Sequence, residues 1–252
     1  MRVNWILSIL LLPTAFVMAC GGGTAGPAKS SAPPGPVVKY RNTLGALTAG
    51  APLDLVQSIL DFAPGAASVV HTHTAPNLAT VLQGQITVKA PSGDKVASAG
   101  DMLVEPVNQP VQAVNTGSGE AMVAGAFPVP HGTKPTAPVA GQPAPAMPNR
   151  TLYTFTLDSA GISGGYSLVQ QVLDFAPGSQ TPKHRHGGPG AITVIQGQLT
   201  LNSDGAEKTY DVGKSFTETP GQTLQAFNRG GIDVIVVATY LLPDGAQLAT
   251  NL

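Results

Sequence analysis

The chain has 252 residues, of which 11% are charged, and a formal net charge of −1. No block of Lys or Arg occurs, which excludes the electrostatic footprint that nucleic acid requires, so no nucleic-acid partner is expected. Thirty Gly and 23 Pro break the sequence into short apolar runs without helical periodicity, and the expected class is all-β.

In chain order, Arg2 precedes an apolar run of 12 residues from Ile6 to Val17, interrupted by Pro13. The run is shorter than the roughly 20 apolar residues a bilayer span needs, and residues 1–19 read as a signal peptide. It ends in Val17-Met18-Ala19-Cys20 followed by three glycines, which resembles the lipobox of bacterial lipoproteins. That resemblance implies lipidation at Cys20 and a membrane partner, with the chain anchored in the cell envelope on the exported side. The alternative is an ordinary secretory signal with an incidental cysteine. Cys20 is the only cysteine, so no intramolecular disulfide is available. Residues 20–39, rich in Gly, Ala, Pro and Ser, are expected to form a flexible tether.

The remainder is a duplication. Leu60-Asp61-Phe62-Ala63-Pro64-Gly65 recurs as Leu173-Asp174-Phe175-Ala176-Pro177-Gly178. The same separation of 113 positions relates His71 to His184, Gly84 to Gly197, Gly100 to Gly213 and Asn115 to Asn228. The constant offset predicts two domains with equal turn lengths, at residues 40–132 and 150–252. The Pro-rich segment 133–149 between them is expected to be an extended spacer. Within each copy, short runs of Val, Ile, Leu, Thr and Phe end at glycines, the pattern of a sandwich or barrel.

Each copy carries a histidine pair with glycines set around it: Gly65, His71-Thr72-His73, Gly84, and Gly178, His184-Arg185-His186, Gly197. These spacings resemble the first motif of the cupin family, and Gly100, Pro106 and Asn115 resemble the second. In copy two that motif is matched by Gly213, Gly221 and Asn228, with the proline displaced to Pro220. The resemblance implies two tandem jelly-roll β-barrels. It also implies a metal site of three histidines and one carboxylate, and here the sequence departs from the family. Asn77 and Gly190 stand where the carboxylate belongs, and Val111 and Leu224 stand where the third histidine belongs.

Histidines at i and i+2 of a strand project from one face and can converge on a ligand. His71, His73, His184 and His186 are therefore candidate ligand-binding or metal residues. Glu105 and Glu218, at the shared offset, are possible supplementary ligands. The leading expectation is an exported small-molecule-binding protein with degenerate sites and, if any cofactor, a weakly bound divalent metal. The rivals are a metal-dependent oxygenase or isomerase and a purely structural envelope protein. Asn115 and Asn228 are expected to stabilise turns, and Phe62 and Phe175 to pack in cores.

Overall fold

The computed structural model describes residues 33–50 and 52–252; the expected signal peptide and Cys20 lie outside the described residues. The first half contributes β1 (Val37–Ala49), β2 (Leu53–Phe62), β3 (His71–His73), β4 (Leu78–Gln83), β5 (Gln85–Lys89), β6 (Lys95–Ser98), β7 (Met102–Leu103), β8 (Gln112–Val114), β9 (Ala121–Pro130) and β10 (Thr136–Pro138). The second half repeats them in order as β11 (Arg150–Leu157), β12 (Gly164–Phe175), β13 (His184–His186), β14 (Gly190–Gln196), β15 (Gln198–Ser203), β16 (Ala206–Asp211), β17 (Ser215–Glu218), β18 (Leu224–Phe227), β19 (Val234–Pro243) and β20 (Ala249–Asn251). The turns explain the constant offset. Gly84 and Gly197 have φ of 71° and 72°, and a Cβ there would lie 2.5 Å from the Glu120 carbonyl oxygen and 2.7 Å from that of Asp233. Only glycine satisfies both demands.

Each half makes an antiparallel barrel with its own apolar centre. Phe62, Val81, Ile86, Leu103, Val111 and Val123 fill the first. Phe175, Ile192, Leu199, Phe216, Leu224 and Val236 fill the second. Asn115 donates to the carbonyls of Phe62 and Gly119 (both 2.8 Å) and accepts from Gly117 N–H. Asn228 makes the same three bonds to Phe175, Ile232 and Gly230. A fully buried amide thus satisfies three backbone groups in each barrel, as a turn-stabilising residue should.

The barrels exchange their leading strands. The five-stranded order β1-β12-β19-β14-β17 puts β1 in the second barrel, and β11-β2-β9-β4-β7 puts β11 in the first. The domain boundaries drawn from the repeat therefore cut across the sheets. Between the two sheets, Ile59, Ala124, Val172, Ile235 and Val237 form a shared apolar layer. It contains a polar core, in which Gln57 donates to Val237 O (3.2 Å) and Thr239 Oγ1 (3.0 Å) and accepts from Thr193 Oγ1 (2.8 Å).

Of the expected flexible tether and the expected extended spacer, the described parts are docked. The end of the tether is part of β1 from Val37 on, and Gln180 N–H already bonds Pro34 O. The Pro-rich segment carries β10, which pairs with β3 at Thr136↔His73 and Pro138↔His71. Its later part returns through Met147 O, which accepts from Ala67 N–H. Proline cannot donate, but an edge strand needs only some of its donors, so a Pro-rich run can still close a barrel rim.

Candidate functional site

In the first barrel, β3 presents His71 and His73 on one buried face. His71 Nδ1 lies 2.9 Å from Val69 O, an acceptor, so in the neutral ring Nδ1 holds the proton and Nε2 the lone pair. That Nε2 is 3.2 Å from His73 Nε2, which is 2.8 Å from Glu105 Oε2. One ligand atom from each of His71, His73 and Glu105 lies within 4.8 Å of the others. Glu105 is held in place by Asn77, which donates to Oε2 (2.8 Å) and accepts the Glu105 N–H (2.9 Å). Burial works to raise the Glu105 carboxyl. The hydrogen bond and charge of His73, the charge of His71 and the Asn77 amide outweigh it and hold the group below the usual carboxylate range. The His73 ring stacks on Phe127 (5.4 Å between centroids), and its Nδ1 is buried without a hydrogen-bond partner among the described residues.

The second barrel reaches a similar arrangement by other means. His184 Nδ1 bonds Pro182 O (2.9 Å) and His186 Nδ1 bonds Leu248 O (2.7 Å), so both neutral rings turn a lone pair inward. The two Nε2 atoms are 3.1 Å apart, and Glu218 Oε2 is 3.1 Å from His186 Nε2. Glu218 is held by the Tyr240 hydroxyl, which donates to Oε2 at 2.7 Å. Burial, the Glu218 charge and that hydrogen bond push the Tyr240 phenol well above its ordinary value, so it keeps its proton. Burial and the adjacent His186 lower the basicity of His184, against partial opposition from Pro182 O and Glu218. Its lone pair is thus available at neutral pH.

The departures from the family pattern are of two kinds. Val111 and Leu224 do sit at the histidine edge, pairing across from His71 and His184, but both are buried apolar filler. Asn77 and Gly190 have different roles. Asn77 positions Glu105, whereas Gly190 makes room, since a Cβ there would lie 2.5 Å from Tyr240 Cε1. Glu105 and Glu218, whose direction the sequence left open, both point at the histidines. The sequence reading overlooked Tyr240 and Phe127. They too are 113 positions apart, and a mismatch at equivalent places (Asn77 with Phe127, Gly190 with Tyr240) was the signal that could have found them.

His184, His186, Glu218 and Tyr240 line one end of a cavity of about 210 Å³. Its walls are apolar, with Leu173, Phe175, Ile192, Leu199, Phe216 and Val236. The exchanged strand β1 adds Val38 and Arg41, and β20 adds Asn251.

A cupin domain model matches residues 58–126 and 171–240. No curated protein matches the sequence. Among solved structures, AerE from Microcystis aeruginosa is 16% identical, with 83% of this chain and 98% of that chain covered and a TM-score of 0.53. Bacillus subtilis oxalate decarboxylase, a protein with Mn(II) centres, is 13% identical over 86% of this chain and 80% of its own, with a TM-score of 0.59. The vicilin of Solanum melongena is 11% identical over 79% and 76%, with a TM-score of 0.62. At such identities the likeness shows the fold alone. With both repeats matched and each histidine pair at the heart of its own barrel, the chain belongs to the cupin family as a two-domain bicupin.

Proposed function

We propose that the protein is a metal-dependent bicupin enzyme in which the second barrel handles a small organic ligand. One observation carries this reading: the inward-facing acceptors His184 Nε2, His186 Nε2 and Glu218 Oε2 crowd together with no proton of their own to share. The Tyr240 proton is already given to Glu218, so either a cation or an added proton must relieve the crowding. Two imidazoles and one carboxylate are a donor set that suits divalent first-row metals and leaves coordination positions open. When bound, such an ion would supply Lewis-acid or redox chemistry of the oxygenase or isomerase kind. The chain's own residues do the rest. The Pro182 and Leu248 carbonyls fix the histidine tautomers, Tyr240 orients Glu218, and the apolar walls exclude water. The first barrel offers a set of its own in His71, His73 and Glu105, with one ligand atom of each within 4.8 Å of the others and no carbonyl fixing the His73 tautomer. Export and membrane attachment through Cys20 rest on the lipobox resemblance and belong to the same proposal.

The test is metal content. Purified protein should retain divalent metal, and His186→Ala and His73→Ala should each remove the share of one barrel. Protein that holds no metal, and whose thermal stability responds neither to chelator nor to added Mn(II), Fe(II) or Zn(II), would refute the reading. A second reading, a binding module with degenerate sites, is favoured by the 3.1 Å approach of His186 to Glu218. An imidazolium on His186 would make that contact an ion pair without any metal.

A further inference from the structure

We propose that Arg41 makes the second-barrel cavity a site for small organic carboxylates with an apolar body. Arg41 comes from the exchanged strand β1, lies in register with Gln171 on β12, and lines the same cavity as His184 and His186. The Gln171 amide, oriented as the network requires, accepts from Arg41 Nη2 (2.6 Å) and Nε (2.9 Å). A neutral amide positions a guanidinium without cancelling its charge. Two of the five guanidinium N–H groups are used there, leaving donors in the fork geometry that matches a carboxylate. Among the described residues, no carboxylate forms an ion pair with Arg41, while Lys39 beside it is paired with Asp174 at 3.3 Å.

The first barrel lacks this device. Its equivalent register pair is Thr154 and Ser58, whose hydroxyls lie 3.5 Å apart. The cation therefore belongs to the cavity of one barrel and is not a general feature of the exchanged strand. Leu173, Phe175, Leu199 and Phe216 on the walls select an apolar body, and Arg41 selects a negative head. The assignment deepens the reading of the second barrel given above, yet it can fail independently.

The experiment is calorimetric titration of the purified full chain with benzoate and with its neutral counterpart benzamide. Benzoate should bind more tightly than benzamide. Arg41→Met should weaken benzoate about tenfold or more and leave benzamide unchanged. Gln171→Glu, which keeps Arg41 but pairs it with a carboxylate, should weaken benzoate similarly, and it serves if Arg41→Met does not fold. Equal affinity for the two probes, no benzoate binding, or indifference to both substitutions would overturn the proposal. Benzoate binding lost in His186→Ala but intact in Arg41→Met would assign the carboxylate to a metal, overturning this inference and sparing the metal reading. Arg41-dependent binding by protein that holds no metal would uphold the inference and sink the metal reading alone.

Discussion

The two histidine pairs sit at equivalent places in a duplicated fold, yet they secure their glutamates from different ones of two neighbouring strands. In the first barrel the side-chain amide of Asn77, just before β4, holds Glu105 and leaves β9 to present plain Phe127. In the second, the β14 position has no side chain at all, and a phenol on β19 fills the vacated space and holds Glu218. In both barrels an aromatic ring stacks on the second histidine, at 5.4 Å for Phe127 and 4.4 Å for Tyr240. A loss at one position is thus compensated by a gain at its partner on the adjacent strand, and the carboxylate stays aimed at the histidines. What must be kept is a hydrogen-bond donor to a buried carboxylate, because an unpartnered one is costly. The element that supplies the donor can change.

The strongest way to break this comparison is Gly190→Asn alone. The new Cβ meets the Tyr240 ring, and overpacking should cost about 3 kcal/mol by denaturant unfolding. Adding Tyr240→Phe should not relieve that clash, because Phe keeps the ring. Adding Tyr240→Ala should recover a good part of the loss, and simple additivity in this double-mutant cycle would refute the compensation. The next effect tests where the barrels agree: Asn115→Ala and Asn228→Ala each orphan three backbone groups and should each cost about 2 kcal/mol. A large inequality between them would show that the repeats are less equivalent than their turns suggest. Tyr240→Phe removes the only side-chain donor to Glu218 among the described residues and should cost about 1–2 kcal/mol, while Phe127→Tyr should change stability by less than about 1 kcal/mol because Asn77 already holds Glu105.

The smallest effect is a pH dependence at His131, whose repeat equivalent is Asp244. His131 Nδ1 lies 2.7 Å from Asp54 Oδ1, and Asp54 also accepts from the backbone of Gly132 and Ser159. The hydrogen bond and charge of Asp54, helped by Asp158, raise the His131 value. Burial works to raise Asp54, but the His131 bond and the two backbone donors outweigh it and lower it. A raised His contributes stability that is complete below its ordinary value of about 6.5 and lost as pH climbs through the raised one. A lowered Asp contributes above its ordinary value of about 3.9 and loses this as pH falls through the lowered one. The thermal midpoint of His131→Gln should therefore fall furthest below that of the parent near pH 5–6, and the gap should close in alkaline buffer. His131 is solvent-exposed, so the gap should also shrink with salt. A gap that grows toward pH 9 would reverse the assignment.

Much of this architecture was legible in the sequence because it depends on local demands. Gly84 and Gly197 mark left-handed turns, Asn115 and Asn228 mark turn amides, and the i, i+2 spacing puts His71 and His73 on one face. The strand exchange was not legible, since β1 and β11 are equally good edge strands for either barrel and only packing decides. Asn77 and Gly190 read as two losses of a ligand, because a sequence shows what stands at a motif position and not what reaches it from another strand. Tyr240 and Arg41 lie outside both motifs for the same reason. Residues 133–149 looked like a spacer because prolines suit one, yet Thr136, Ala137 and Pro138 lie along the first histidine strand.

The exchange of leading strands also constrains how this chain is made. Val37 pairs with Asp174, 137 positions later. At a synthesis rate of about 10 residues per second, β1 waits more than about 10 seconds before the strand it needs exists. Each half taken alone would lack the edge strand that the other half supplies. Because β11 is the repeat equivalent of β1, two copies of a single half could satisfy each other by donating that strand mutually. The present chain has the strand pairing of such a swapped dimer, with a peptide link joining the two copies.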